Sequence, residues 1–310
     1  MAVNWRWDDV RFFLAAAHDG SLSGAAKALG VDHVTIGRRI AALEEQLRAK
    51  LLSRTPDGLA LTSAGQTILK HCETMQGAAL ALERMVAGHD TRTAGSVRLT
   101  ATDVLSRDIL MPVVVALRKS HPELQIELLT GVRSLDITRR EADLAVRVSN
   151  VRPADSQLVC QKLGEIGFTL YASSQYLERH GTPARGQGLA SHDLISFPGT
   201  PRLVSPFFMG ESLQGARYAI RSNDQYVQLT AAAEGLGICE LACFFGDSHP
   251  EVVRVWPKET PNVRPVWLIT HKDLRRAARI RVVSVAIAGA FERMAKTLRF
   301  GRPLLRRSGE

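Results

Sequence analysis

Cysteine is scarce in this 310-residue chain: Cys72, Cys160, Cys239 and Cys243 are the four, and no Cys-x-x-Cys pair occurs. That spacing opposes a zinc site. Cys239 and Cys243 stand four apart in Cys-Glu-Leu-Ala-Cys, which on a helix would place both on one face, although no neighbour in sequence polarises a thiol there. Long apolar runs are missing too. None approaches the roughly 20 residues of a membrane span, and no basic-then-apolar leader opens the chain, so a soluble cytoplasmic protein is expected, with no membrane partner. The chain lacks a Gly-x-Ser-x-Gly elbow, a His-Glu-x-x-His pair and a Walker loop. Gly235-Leu-Gly237 follows a helical pattern and is no dinucleotide fingerprint. No catalytic residue, metal or cofactor is therefore expected, and an enzyme is the weaker alternative.

The net charge is +9, but it is unevenly placed. Residues 1–65 hold 8 Lys or Arg against 7 Asp or Glu, whereas residues 272–310 hold 11 against 3. The excess thus sits in the C-terminal helix and tail, where it can attract a nucleic-acid backbone weakly or simply favour solubility. With 45% apolar residues, the chain can build two or three ordinary domains.

What is present is concentrated in residues 21–45. Ala25, Ala26, Ala28 and Leu29 make a short helix of small residues, with Ser23 as the predicted N-cap and Gly30 as its left-handed end. Asp32 can cap a second helix, with Val31 and Ile36 placed as a hydrophobic staple. Ile36, Ile40, Leu43 and Leu47 recur at spacings of four, three and four and form one buried stripe. The opposite face carries Val34, Gly37, Arg38 and Ala41, with His33 and Thr35 near the helix start. Small residues around one arginine permit close approach to base edges, and a guanidinium can donate two hydrogen bonds to guanine. Before this pair, Trp7-Asp8-Asp9 leads into Val10, Phe12, Phe13, Leu14 and Ala17, an apolar helix face. After it, Leu51 to Thr62 reads as strand, Pro-Asp-Gly turn, strand.

These motifs resemble the winged helix-turn-helix of the LysR-type transcriptional regulators. The matching residues are Trp7 to Leu14, Gly20 to Gly30, Arg38 to Glu44, and Leu51 to Gly65. The resemblance implies a DNA-binding set of His33, Val34, Thr35, Gly37, Arg38, Arg39 and Arg54, the last holding phosphate. His33, Val34 and Gly37 depart from the family's common Gln, Pro and Ser, and Asp57 replaces a frequently basic residue at the wing tip. The target sequence is therefore this chain's own.

Thr62 can cap a long helix over 62–88. Ile68, Cys72, Met75, Ala79, Leu82 and Val86 follow spacings of four, three, four, three and four, a coiled-coil seam on a rod of roughly 40 Å. The resemblance makes this the dimerisation helix. Beyond a polar hinge at 88–95, a strand at 97–101, a helix at 109–120, a strand at 124–129, a helix at 134–140 and a strand at 142–148 alternate as in a parallel sheet. A second block follows through strands at 167–171, 194–197 and 218–221, a helix at 225–234 and a strand near 237. A strand at 266–271 and a helix over 274–299 cross back.

The fold class is thus α/β, with domains at 1–61, 62–88 and 89–310. The last resembles the family's two-lobed effector-binding domain, akin to periplasmic binding proteins. Ligands in such folds lie at strand carboxyl ends between the lobes. The candidates there are Thr102, Asp103, Val104, Gly131, Val132, Arg133 and Arg147 on one lobe, and Phe197, Ser222 and Asn223 on the other. Arg133 and Arg147 could pair with a carboxylate, or Arg147 could form a structural pair with an aspartate. The implied partners are double-stranded DNA, a small-molecule effector and further copies of the chain in a homodimer or homotetramer, with RNA polymerase as an additional candidate. A transport-type binding protein with no DNA role is the other alternative, opposed by the N-terminal module.

Overall fold

The order of apolar and capping residues translates directly into the first elements: α1 (Trp7–Asp19), α2 (Leu22–Leu29), α3 (His33–Leu47), β1 (Leu52–Thr55), β2 (Gly58–Leu61) and α4 (Ser63–Gly88). The computed structural model describes residues 5–56, 58–88, 92–131, 137, 141–198 and 208–301. It divides into two units, Met1–Arg84 and Met85–Glu310.

In the first unit, Phe13, Leu14, Ile36, Leu43 and Leu51 form the buried centre. Ser21 rather than Ser23 caps α2, its hydroxyl accepting from Gly24 N–H at 3.0 Å, so the helix starts earlier than its alanines suggest. Gly30 ends it in the left-handed region at φ 66°, as its position predicts. Leu47 is 37% exposed, because α3 runs past the core before Arg48 turns it at φ 52°. Val31 is likewise at the surface, 37% exposed, while Ile36 is fully buried. β1 and β2 pair antiparallel as the wing.

The second unit continues with β3 (Gly95–Ala101), a π-helical turn (Leu105–Leu110), α5 (Met111–Ser120), β4 (Leu124–Thr130) and β5 (Leu144–Val148). Then come β6 (Leu158–Ala172), α6 (Ser174–His180), β7 (Asp193–Ser196), β8 (Arg217–Arg221), α7 (Gln225–Ala233), β9 (Ile238–Ala242) and α8 (Cys243–Gly246). β10 (Val253–Arg254), β11 (Asn262–His271) and α9 (Ala278–Phe300) complete it. The sheet order is β4-β3-β5-β11-β6-β9-β7-β8, with β10 on β6. β3 is parallel to β4 and β5, and β7 is parallel to β8 and β9, giving one parallel group per lobe. The long antiparallel strands β6 and β11 run through both lobes, and their register shifts beside Gly164, whose φ of 149° suits glycine.

Two corrections follow. β6 begins nine residues before the strand legible in sequence, because its first half is only half-buried and is interrupted by the exposed Gln161-Lys162 and by Gly164. Cys239 lies on β9 and Cys243 starts α8, so they share no helix face; burial pushes both thiols up, that of Cys243 to about 12. Such cysteines stay protonated and unreactive. The helix read at 134–140 falls almost wholly outside the described residues.

Candidate functional site

The recognition helix is presented from its buried side. Ile36, Ile40 and Leu43 anchor α3 in the core, and the Asp32 carboxylate accepts from Thr35 N–H and from its hydroxyl, both at 2.7 Å. Those hydrogen bonds hold the Asp32 carboxyl below its usual range. His33, Val34 and Arg38 are left on the outer surface, Val34 with 67% of its area exposed, and Gly37 keeps the helix low between them. Arg38 has no hydrogen-bond or ion-pair partner among the described residues. Arg54 is equally exposed and unengaged on β1.

Arg39 departs from the DNA-binding expectation. Its Nη1 lies 3.2 Å from the buried Asp9 carboxylate, and its guanidinium sits 5.6 Å from the Phe12 ring centroid. It fastens α3 to α1, which leaves Arg38 alone of the pair without a partner on the outer face among the described residues.

Glu44 places the wing. Its buried carboxylate accepts from Leu51 N–H at 2.8 Å, Leu52 N–H at 3.2 Å and Lys50 Nζ at 2.6 Å. Burial alone would raise its pKa, but these donors bring it below the ordinary value. At the other end of the wing, Leu59 N–H donates to Gly20 O at 2.7 Å, and a Cβ at Gly58 would lie 2.5 Å from that oxygen. Asp57 lies outside the described residues.

α4 starts where Thr62 caps it, accepting from Gly65 N–H at 3.0 Å. Cys72 is 6% exposed and packs with Val10, Phe13 and Leu14, while Ile68 packs against the same cluster. These two positions of the expected seam therefore serve their own domain. Leu82 is 64% exposed, with Met75 and Ala79 half-buried before it; the Val86 side chain lies outside the described residues.

In the second unit, β3 and β5 end side by side, Thr100 being level with Ala145. Leu99 and Ala101 point into the core that α5 and α9 cover, so Thr100 faces the other way. There Arg147 Nη2 donates to Thr100 Oγ1 at 3.0 Å and Nη1 to Val146 O at 3.2 Å. No carboxylate pairs with this half-buried guanidinium among the described residues, and burial lowers its pKa. The structural Arg–Asp alternative thus finds no carboxylate among the described residues, and Asp136 lies outside them. Thr102 is half-buried beside this end, with no side-chain partner among the described residues.

The other expected effector residues make contacts within the fold. Asp103 Oδ2 accepts from Gln225 N–H at 2.7 Å, joining the first lobe to the start of α7 in the second. Burial raises the Asp103 pKa, and the Asp224 carboxylate raises it further. Beside it, the Tyr226 hydroxyl donates to Asp108 at 3.1 Å and Arg107 lies 4.5 Å from the Tyr226 ring centroid, a second cross-lobe contact. Val104 is fully in the core and offers a ligand no side chain. Ser222 caps the turn into α7, its hydroxyl accepting from Asp224 N–H at 3.1 Å, and Asn223 is exposed. Phe197 is half-buried after β7, and Gly131 N–H donates to Ala101 O at 3.0 Å. Val132 and Arg133 lie outside the described residues. Thr100 was missed in sequence; strand alternation, which turns it away from Leu99 and Ala101, is the signal that finds it.

Among the described residues, no helix is long and apolar enough to cross a membrane. Residues 7–66 match the family model described as bacterial regulatory helix-turn-helix protein, lysR family, and residues 90–290 match the LysR substrate binding domain. A probable HTH-type transcriptional regulator, LtrA, of Klebsiella pneumoniae is 28% identical over 89% of this chain and 91% of its own length. An HTH-type transcriptional regulator of Xanthomonas campestris pv. campestris is 32% identical over 61% of this chain, which spans 54% of that protein. Among solved structures, the full-length Vibrio cholerae virulence activator AphB, a member of the LTTR family, matches with a TM-score of 0.62 and 26% identity over 92% of this chain and 99% of that one. CrgA, a LysR-type transcriptional regulator from Neisseria meningitidis, shares the fold with a TM-score of 0.56 at 22% identity, over 92% and 98%. With a helix-turn-helix and, after it in sequence, a two-lobed α/β domain, the chain belongs to the LysR family of transcriptional regulators.

Proposed function

We propose that this regulator reads a dyad-symmetric DNA site through His33, Val34, Gly37 and Arg38, holds phosphate through Arg54, and changes its DNA contacts when a small anionic effector enters the crevice between its lobes. Thr35 contributes its methyl group to the reading face, since its hydroxyl is committed to Asp32. Met75, Ala79, Leu82 and Val86 supply the seam between two copies, and RNA polymerase is the further partner that transcriptional control requires. The observation that carries the effector class is Arg147. A half-buried guanidinium that donates to a threonine hydroxyl and a backbone carbonyl, with no carboxylate among the described residues, is a cation whose desolvation an anionic ligand would offset. The effector must also bind one arrangement of the lobes more tightly than the other, or it shifts nothing.

Arg147→Met and Thr102→Ala, tested with a reporter on the gene's own upstream region, examine this reading. Removing an unpaired, desolvated charge should leave the effector-free melting temperature equal to or above that of the parent, with DNA affinity retained and the response lost. Parallel loss of melting temperature, DNA affinity and response would make these residues structural and remove the crevice assignment.

A further inference from the structure

Away from the crevice, the start of α9 carries Arg275, Arg276, Arg279 and Arg281 within seven residues. Two hollows open along this helix, of 650 and 680 Å³, and they share Arg276, Arg281 and Val285. The first is floored by β6 and β11, and the second reaches α5 at Ser120 and His121. Among the described residues, no aspartate or glutamate lines either hollow. Arg275, Arg276 and Arg281 have no ion-pair partner among the described residues, and the carboxylate nearest in sequence, Asp273, lies 3.3 Å from His271 Nδ1. Val285, 72% exposed, adds an uncovered apolar surface between the arginines.

These features have a common consequence. Arg275, Arg276 and Arg281, close together and with no ion-pair partner among the described residues, repel one another, and the start of a 23-residue helix with no acidic residue in its first turn adds positive potential. A polar anion alone would leave exposed Val285 and the half-buried Val159 and Val282 of the walls against water. We propose that this double hollow is a second ligand site, distinct from the crevice, for an amphipathic organic anion: an apolar body along Val285 and its neighbours, with a carboxylate head between Arg276 and Arg281. Each hollow lies in the size range of sites for small organic molecules.

The test is calorimetric titration of the full-length protein with decanoate, and separately with inorganic phosphate. Decanoate should bind, and phosphate should bind more weakly by about tenfold or more, because it cannot use the apolar wall. Arg276→Gln with Arg281→Gln should weaken decanoate by about tenfold or more, since both substitutions are exposed and remove charge-assisted bonds. Val285→Asp should weaken it comparably, whereas Arg147→Met should leave it unchanged. Undiminished binding by the double variant overturns the proposal, as does phosphate binding as tightly as decanoate. Loss of decanoate binding in Arg147→Met would put the anion in the crevice and overturn it equally, while leaving the effector reading intact.

Discussion

Glu44 ties the recognition helix to the wing, and its removal should unfasten one from the other. In Glu44→Ala, the buried Leu51 N–H and the partly buried Leu52 N–H lose their acceptor. A buried amide left without a partner costs about 1–3 kcal/mol, and Leu52 can partly rehydrate, so a loss of about 2–4 kcal/mol is expected. Lys50 adds little to that figure, because its side chain is largely exposed. Glu44→Gln keeps an oxygen for both amides and gives up only the charge, so it should cost about 1 kcal/mol. The pH dependence has a definite sign. The folded pKa lies below the ordinary 4.5, so the carboxylate's contribution is present above that value and drains away as pH falls through the folded pKa. The gap between parent and Glu44→Gln should therefore be constant from neutrality to about pH 5 and close below it. Amide hydrogen exchange at Leu51 and Leu52 reads this locally and separately from the second unit. Unchanged protection of Leu51 in Glu44→Ala would refute the clamp.

The double substitution Met75→Glu with Leu82→Glu places like charges across the expected seam and should cost several kcal/mol of dimer stability as an order of magnitude; sedimentation showing an intact dimer with unchanged DNA affinity would disprove the seam. At Asp103 the folded pKa is raised, so the stability linked to its protonation is fully present below the ordinary 3.8 and is lost as pH rises through the folded value. Asp103→Asn keeps an acceptor for Gln225 N–H and removes a charge facing Asp224, so its melting temperature should exceed the parent's at pH 7.5 by a margin that shrinks at pH 4.5. A margin independent of pH would show that the charge is not what matters.

The recognition helix was legible because its signals are local: Gly30, Asp32 and a period that puts Ile36, Ile40 and Leu43 on one side. The division of labour between Arg38 and Arg39 was not, since it depends on Asp9, thirty residues away and invisible to periodicity. Ile68 and Cys72 fit a heptad as well as Met75 and Leu82 do, and only the packing of α4 against α1 and β1 separates core from seam. In the second unit, strand order could be read from alternation with helices, but the crossing of lobes by β6 and β11 depends on long-range pairing. Arg147 was named from its place at a strand end. That it stands beside Thr100 is a property of the β3–β5 pairing, which sequence spacing does not fix.

The central claim, that the outer face of α3 reads bases, is tested by measuring Arg38→Ala and Arg54→Ala on the upstream site and on random DNA across a range of salt. Arg38→Ala should lose about 1–3 kcal/mol on the specific site and almost nothing on random DNA. Arg54→Ala should weaken both and lower the salt slope by about one. Equal losses on both DNAs for Arg38→Ala would make it a phosphate contact and contradict the claim.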